Sequence, residues 1–257
     1  MGVTNVDEVV NVTLQALKRN GFRAMYAPDV EAAREKVLQL IPKGTTVGVG
    51  DSVSVRQLKV LDTLQREGRL LVDPFSREIA LRSTRKEITE DQRWAMHKIA
   101  VNCEVFITGS NALTQNGMLV NTDGGGNRVA GMIFGPKKVI LVVGVNKIVA
   151  DLEQALHRIK NVIAPELARI KGMKVPCVKV GHCIDCNSTE RICNVTTILE
   201  RAPAYTETTV LLVDQDLGLG WAKDWAQERK EQIESDCAAL TWLRRRVGDD
   251  DAFFGDL

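Results

Sequence analysis

Residues 117–147 read GMLVNTDGGGNRVAGMIFGPKKVILVVGVNK, and the succession of residue types in them decides the fold class. Leu119 and Val120 predict a short buried strand that runs into Asn121, Thr122, Asp123 and three glycines, after which Asn127 and Arg128 open an apolar segment of helical or extended character. Glycines 124, 125 and 126 have no side chains to keep a ligand off the backbone, and glycine adopts the positive φ angles that aim successive amides at one anion. A second strand over residues 138–143 ends in Gly144 and delivers Asn146 and Lys147 just before a helix. Ligands of an open parallel sheet sit beyond the carboxyl ends of its strands, so two neighbouring strands ending in TDGGGNR and GVNK are expected to line one crevice. The plainer account of such glycine runs is a pair of tight turns. The combination with Asp123, Asn127, Arg128, Asn146 and Lys147 favours a ligand site.

Working outward, residues 103–109 (CEVFITG) read as another core strand whose end, Ser110 and Asn111, gives the crevice a third wall. Residues 45–50 (TTVGVG) read as a buried strand that feeds into Asp51, Ser52, Val53, Ser54 and a helix carrying Leu58, Leu61 and Leu64. Gly50 and Ser52 at that helix start are suited to hold a phosphate or carboxylate, although Asp51 and Ser52 are also good caps in their own right. Nearer the N-terminus, Val9, Val10, Leu14 and Leu17 recur at helical spacing, Asn20 and Gly21 stop that helix, and residues 22–27 are extended. Pro28 and Asp29 start a second helix, with Ala32, Ala33, Val37, Leu38 and Ile41 on its buried face and Pro42 at its end. Residues 70–72 predict a short strand and residues 91–100 a helix, on which His97 reads as a surface or packing residue. A helix over 151–163 is broken at Pro165 and continues over 166–170; residues 208–214 (TTVLLVD) are the last core strand. Residues 221–247 are helical, with Trp221, Trp225, Ile233, Cys237 and Leu240 approximating one apolar stripe ahead of a polar tail with two phenylalanines. That stripe either packs on its own domain or docks onto a second subunit, as a homodimer would require.

The 257 residues, 44% of them hydrophobic, suffice to bury a sizeable core. Thirty-four basic against 33 acidic residues leave a net charge of +1, so no overall field recommends nucleic acid as a partner. The longest apolar run, residues 139–143, falls far short of the roughly 20 residues that span a bilayer, and the first residues, MGVTNVDEVV, carry acids where an export signal is basic. The expected compartment is the cytoplasm, where cysteines are thiols or metal ligands before they are disulfides.

Cys177, Cys183, Cys186 and Cys193 form C-x5-C-x2-C-x6-C, which is four of the chain's six cysteines. A CxxC pair gives two thiolates to one site, and the flanking cysteines complete a four-thiolate set for a 4Fe-4S cluster or zinc. Zinc ribbons usually show two CxxC knuckles, which favours the cluster; reduced free thiols, or a redox pair at Cys183 and Cys186, are the alternative. Cys103 and Cys237 are isolated and read as core residues.

The segment TGSNALTQNGMLVNTDGGGNRVAGMIFGPKKVILVVGVNKIV, followed by PC, GHCIDC and RICN, resembles the lactate utilization (LUD) domain family, as does the earlier VGVGDSVSV. The resemblance covers roughly residues 9–214. It implies an open, mostly parallel Rossmann-like α/β sheet with helices on both faces, of the glucosamine-phosphate isomerase, ribose-phosphate isomerase and CoA-transferase group, and here a C-terminal helix follows it. The expected division is a LUD-like domain over 1–214 containing the cysteine segment at 176–194, then a helical extension over 215–257. The family further implies a part in bacterial oxidation of L-lactate to pyruvate, as a subunit of an iron-sulfur-containing complex, and it assigns no catalytic residue. Two classes of function follow. One is an enzyme or enzyme subunit acting on a small anionic metabolite, in which Ser52 holds an anion, Arg128 and Lys147 neutralise charge and Asp123 is the candidate acid or base. The other is a non-catalytic iron-sulfur or ligand-sensing protein serving a redox partner protein.

Overall fold

The computed structural model describes residues 6–81, 84–219, 226–238 and 240. The chain begins α1 (Val6–Arg19), β1 (Arg23–Ala27), α2 (Val30–Leu40), β2 (Thr46–Val49), α3 (Val53–Gln57), α4 (Leu61–Arg66) and β3 (Leu70–Val72). A hairpin of β4 (Glu78–Leu81) and β5 (Thr84–Glu87) leads to α5 (Glu90–Ala100), β6 (Val105–Gly109), β7 (Ala112–Thr114), β8 (Leu119–Asp123) and α6 (Asn127–Ile133). Then come β9 (Lys138–Gly144), a 3-10 turn (Val145–Lys147), β10 (Ile148–Val149), α7 (Leu152–Arg158), a π-helical turn (Ile159–Ile163) and α8 (Ala164–Ile170). The chain closes with α9 (Cys177–Val180), β11 (Val195–Leu199), β12 (Glu207–Val213) and α10 (Gln227–Ala238).

Six strands form a wholly parallel sheet in the order β1-β12-β9-β6-β2-β3. Alternate residues feed two cores, as the period of two along a strand requires. Ile107, Ile140, Val142, Leu211 and Val213 pack with Ala33, Val37, Val55, Leu58 and Leu64 of α2–α4 on one face. Phe106, Val139, Leu141, Val143, Val210 and Leu212 pack with Val10 and Leu17 of α1 and Val129 and Met132 of α6 on the other. Helices thus cover both faces, as the apolar runs of these strands anticipate. After β2 the chain moves outward to β3 and then returns to β6 on the other side of β2, so the strand order reverses between β2 and β6.

Several expectations are corrected. β8 does not neighbour β9: it belongs to a separate sheet, β10-β7-β8-β11, in which β7 and β11 pair with it antiparallel. The single helix expected after β2 is two, α3 and α4, because Lys59 turns the chain at a φ of 50°. Pro165 breaks nothing; it occupies the first turn of α8, where a missing N–H is harmless, and the π-helical turn joins α7 to α8. Of the C-terminal stripe, Ile233 and Cys237 pack on Ile163 and Leu219 of the same chain. Trp221, Trp225 and the terminal phenylalanines lie outside the described residues. No helix among the described residues is long and apolar enough to cross a membrane.

α5 closes on the sheet at Gly48 of β2, where a Cβ would land on the Ala100 carbonyl at the end of α5. Gly48→Ala is expected to cost about 1–3 kcal/mol through overpacking, read as a lowered urea midpoint with an unchanged m-value.

Candidate functional site

The loops that leave β2, β6, β9 and β12 at their carboxyl ends converge on one side chain, Lys147. Its Nζ donates to Ser54 Oγ at 2.7 Å and to the Ser110 carbonyl at 3.0 Å, and the residue is 5% exposed. Both acceptors are neutral. Burial, and then the nearby Arg158 and Arg128, hold the amine well below its ordinary pKa, since loss of water and neighbouring positive charge both disfavour the ammonium form. Gly218, at a φ of +77°, forms the opposite wall: a Cβ there would stand 2.9 Å from Ser54 Oγ and 3.1 Å from Lys147 Nζ. The loop after β12 is held by Asn146, whose Oδ1 accepts from Leu217 N–H at 3.0 Å and whose Nδ2 donates to the Leu217 carbonyl at 3.3 Å. Gln57 accepts from Gly218 N–H at 2.7 Å.

Arg158 enters from α7 and donates from Nε to the Asn111 carbonyl at 3.0 Å. Burial pushes this guanidinium down to about 9, against the pull of Asp216, and it keeps its proton at neutral pH. The sequence reading missed Arg158. Its signal was its place on the buried face of α7, three residues from Ala155 and beside Ile159, where an arginine needs a reason.

Arg128 and Asp123 are joined, not free. The Arg128 guanidinium pairs with Asp123 Oδ1 through Nε at 2.9 Å and Nη2 at 2.6 Å. Its remaining N–H groups reach the Gly109 carbonyl at 3.2 Å, Asn121 Oδ1 at 2.9 Å, Asn111 Oδ1 at 2.8 Å and the Thr122 carbonyl at 3.1 Å. Asp123 Oδ2 accepts from Val129 N–H at 2.9 Å, so it also caps α6. The two residues are 6% and 8% exposed.

The glycines divide. Only Gly126 of the three takes a positive φ, 78°, as the cap of α6, so the expected succession of positive φ angles does not form. Gly124 lets the backbone of Ile192 approach, with a built Cβ 3.1 Å from Ile192 Cα; at Gly125 a Cβ would meet only Asn127 Oδ1. Gly50 serves close packing, since a Cβ would stand 2.6 Å from Thr108 Oγ1 and 2.9 Å from Phe106 Cζ. Ser52 caps α3, accepting from Val55 N–H at 3.3 Å, and its Oγ lies 2.5 Å from where a Cβ of Gly109 would be. Asn127 Nδ2 meets His97 Nδ1 at 3.1 Å, and His97 is buried edge-on to Phe75. With the amide donating, the neutral imidazole carries its proton on Nε2, and burial and Arg93 lower its pKa. His97 is therefore a packed neighbour of the glycine loop, off the solvent face.

The cysteine segment lies against that same loop. Asn194 N–H donates to the Asp123 carbonyl at 2.9 Å and its Nδ2 to the Gly124 carbonyl at 3.1 Å. Cys177, Cys183, Cys186 and Cys193 are all half-buried free thiols. Burial and the neighbouring Cys186 and Cys193 raise the Cys177 thiol. Cys183 Sγ accepts from Asp185 N–H at 3.4 Å in a turn where Asp185 has a φ of 49°. Arg191 spans the loop, donating to the carbonyls of Cys186 at 2.7 Å and Cys193 at 3.2 Å. No three His, Cys, Asp or Glu side chains among the described residues stand close enough to share one metal ion.

A family model described as the LUD domain matches residues 10–213. A crystal structure of a DUF162 family protein from Deinococcus radiodurans is similar at a TM-score of 0.45 and 10% identity, over 82% of this chain and 99% of that one. No curated protein matches the chain.

Breaking the Arg128–Asp123 pair leaves a buried guanidinium without its counter-charge. Asp123→Asn is expected to cost about 3–5 kcal/mol in urea denaturation. A loss below about 1 kcal/mol would show that the pair is not structural.

Proposed function

The chain belongs to the LUD domain family, and from that premise we propose that it serves the metabolism of a small anionic acid, a 2-hydroxy acid such as lactate or its 2-oxo product, bound at the strand ends around Lys147. The observation that carries this is the charge balance there. Lys147 is buried with neutral acceptors beside Arg158 and Arg128; Asp123 is engaged by Arg128, and Asp216 acts on Arg158. A bound carboxylate would set a negative charge beside Lys147, whose own hydrogen-bond acceptors are neutral. The position agrees with the rule that ligands of open α/β sheets sit outside the carboxyl ends where strand order reverses. Because Asp123 is spent on Arg128 and on capping α6, it is a poor acid or base, which favours binding without turnover as the second reading.

Calorimetry with L-lactate tests the site. Lys147→Met keeps the volume and removes the charge, and it is expected to weaken binding by about 1.5–3 kcal/mol, the worth of a charge-assisted hydrogen bond. The free protein holds the Lys147 amine low and an anion restores its charge, so binding takes up a proton and affinity falls as pH rises through the depressed pKa. An affinity unchanged in Lys147→Met would remove Lys147 from the site.

We further propose that Cys177, Cys183, Cys186 and Cys193 hold a 4Fe-4S cluster, with zinc as the alternative. The donor chemistry supports it: four thiols in one short segment, and a CxxC turn whose backbone N–H already points at a sulfur. Such a cluster would supply one-electron chemistry for a redox partner protein. Protein purified without oxygen is expected to be brown and to lose its colour in Cys183→Ser. Colourless protein with one zinc per chain would select zinc, and protein with neither metal would leave the cysteines as thiols.

A further inference from the structure

We propose that Arg191 is the positioning residue of the cysteine centre: its guanidinium fork ties the backbones of Cys186 and Cys193 together, so that a metal meets two of its thiols already brought to one place. The inference rests on the reading of the four cysteines as one metal centre, and it names a residue outside that set. Nη1 donates to the Cys186 carbonyl at 2.7 Å and Nε to the Cys193 carbonyl at 3.2 Å. Nη2 pairs with Asp185 Oδ1 at 3.2 Å, inside the CxxC turn. The Cys193 side chain interacts with the same guanidinium. An ion pair made for stability alone does not account for this arrangement, since the Asp185 side chain is 80% exposed and such surface pairs contribute little. The two carbonyl bonds do account for it, because each fixes the main chain of a cysteine.

The loop needs such a device. Residues 181–194 hold no helix or strand, and no buried core residue falls between Val175 and Leu199. Packing therefore does not order the segment, and each residue fixed costs about 1–2 kcal/mol of backbone entropy. A guanidinium suits the task because its donors stand at set angles in one plane, whereas a lysine amine offers a point charge on a flexible stem. The other two cysteines are held from elsewhere. Cys183 N–H donates to Asn161 Oδ1 at 3.2 Å, on the π-helical turn. The approach to Cys177 is tied back by Lys174 N–H to Glu190 Oε2 at 2.6 Å and by Ser188 Oγ to the Lys174 carbonyl at 3.3 Å. Cys183, Cys186 and Cys193 all act electrostatically on Cys177, so the four thiols share one neighbourhood, although no three converge on a point. Closing the set falls to the thiol side chains, whose χ1 rotation moves each sulfur while the backbone stays held.

The test is a cobalt(II) titration of the reduced, metal-free full chain, followed by the sulfur-to-cobalt charge-transfer absorption, whose intensity counts the thiolates bound. Wild-type protein is expected to take up one cobalt per chain with four-thiolate intensity. Arg191→Gln is expected to bind about 10–100-fold more weakly, the usual loss when a group behind the ligands is removed, and to stay below that intensity at saturation. Arg191→Lys keeps the charge without the fork and is expected to behave as Arg191→Gln does. Wild-type affinity and intensity in Arg191→Gln, or their recovery in Arg191→Lys, overturns the positioning role and leaves the metal centre standing. Affinity lost only together with the fold, read as a lowered urea midpoint of the metal-free chain, likewise overturns it. A wild-type chain that takes up no cobalt overturns the metal centre and the positioning role together.

Discussion

A guanidinium taken out of water must find acceptors for all five of its N–H groups, and the way Arg128 finds them holds this molecule's two larger sheets in one relation. Its partners come from the end of β6 at Gly109, from the following loop at Asn111, and from Asn121, Thr122 and Asp123 of β8. β6 belongs to the parallel sheet and β8 to the smaller one. A methionine or leucine in this position could fill the volume but could not specify the angle between the sheets, because dispersion has no direction and hydrogen bonds do. Asn111 and Asn121 strengthen the joint by exchanging bonds with the β8 and loop backbones, Asn111 N–H to Asn121 Oδ1 at 3.0 Å and Thr122 N–H to Asn111 Oδ1 at 2.9 Å.

Once that joint is set, the neighbouring charges are constrained in turn. Asp123 answers Arg128 and is withdrawn from other chemistry, while Lys147 and Arg158 are brought into the same low-dielectric region with mainly neutral oxygens around them. Like charges gathered in this way oppose folding and are retained only where something offsets them. The glycine-rich stretch, which in the sequence looks like the cradle of the site, takes a different part: it turns β8 into α6 and lets the cysteine segment lie close through Ile192 and Asn194. The buried lysine, Lys147, stands instead among the loops after β2, β6, β9 and β12.

What the sequence disclosed follows from how each element is buried. β6, β9 and β12 are covered on both faces and read as unbroken apolar runs, so their existence and type were plain. β11 was invisible because Val195 and Ile198 are exposed while Leu199 is buried, which leaves no alternation to detect, and β7 is only three residues long. That β8 lies in a second sheet could not be inferred from Leu119 and Val120, since two apolar residues say nothing about pairing partners. Lys59 carries no signal for a positive φ, so the division of α3 from α4 was hidden. At the site, Lys147 was found from its position after a strand, but its burial was not, because a lysine's exposure is decided by loops distant in the chain: Ser54, Ser110 and Gly218. Of the two places the sequence allows His97, surface or packing, it takes the buried one, and its contact with Asn127 has no signal in the sequence.

The strand order has a consequence for how the chain comes to be folded. β1 lies at an edge of the sheet, and its ladder partner is β12, the last strand of the sheet to be made. The pairing is reinforced by Arg23 with Glu207, 184 residues apart along the chain, and by Tyr26 donating to Asp214. Loop closure over such a separation is an entropic cost met only late, after β12 has settled against β9. During synthesis β1 must therefore wait for its ladder partner until almost the entire α/β unit has left the ribosome, so an edge of the sheet made early is secured late.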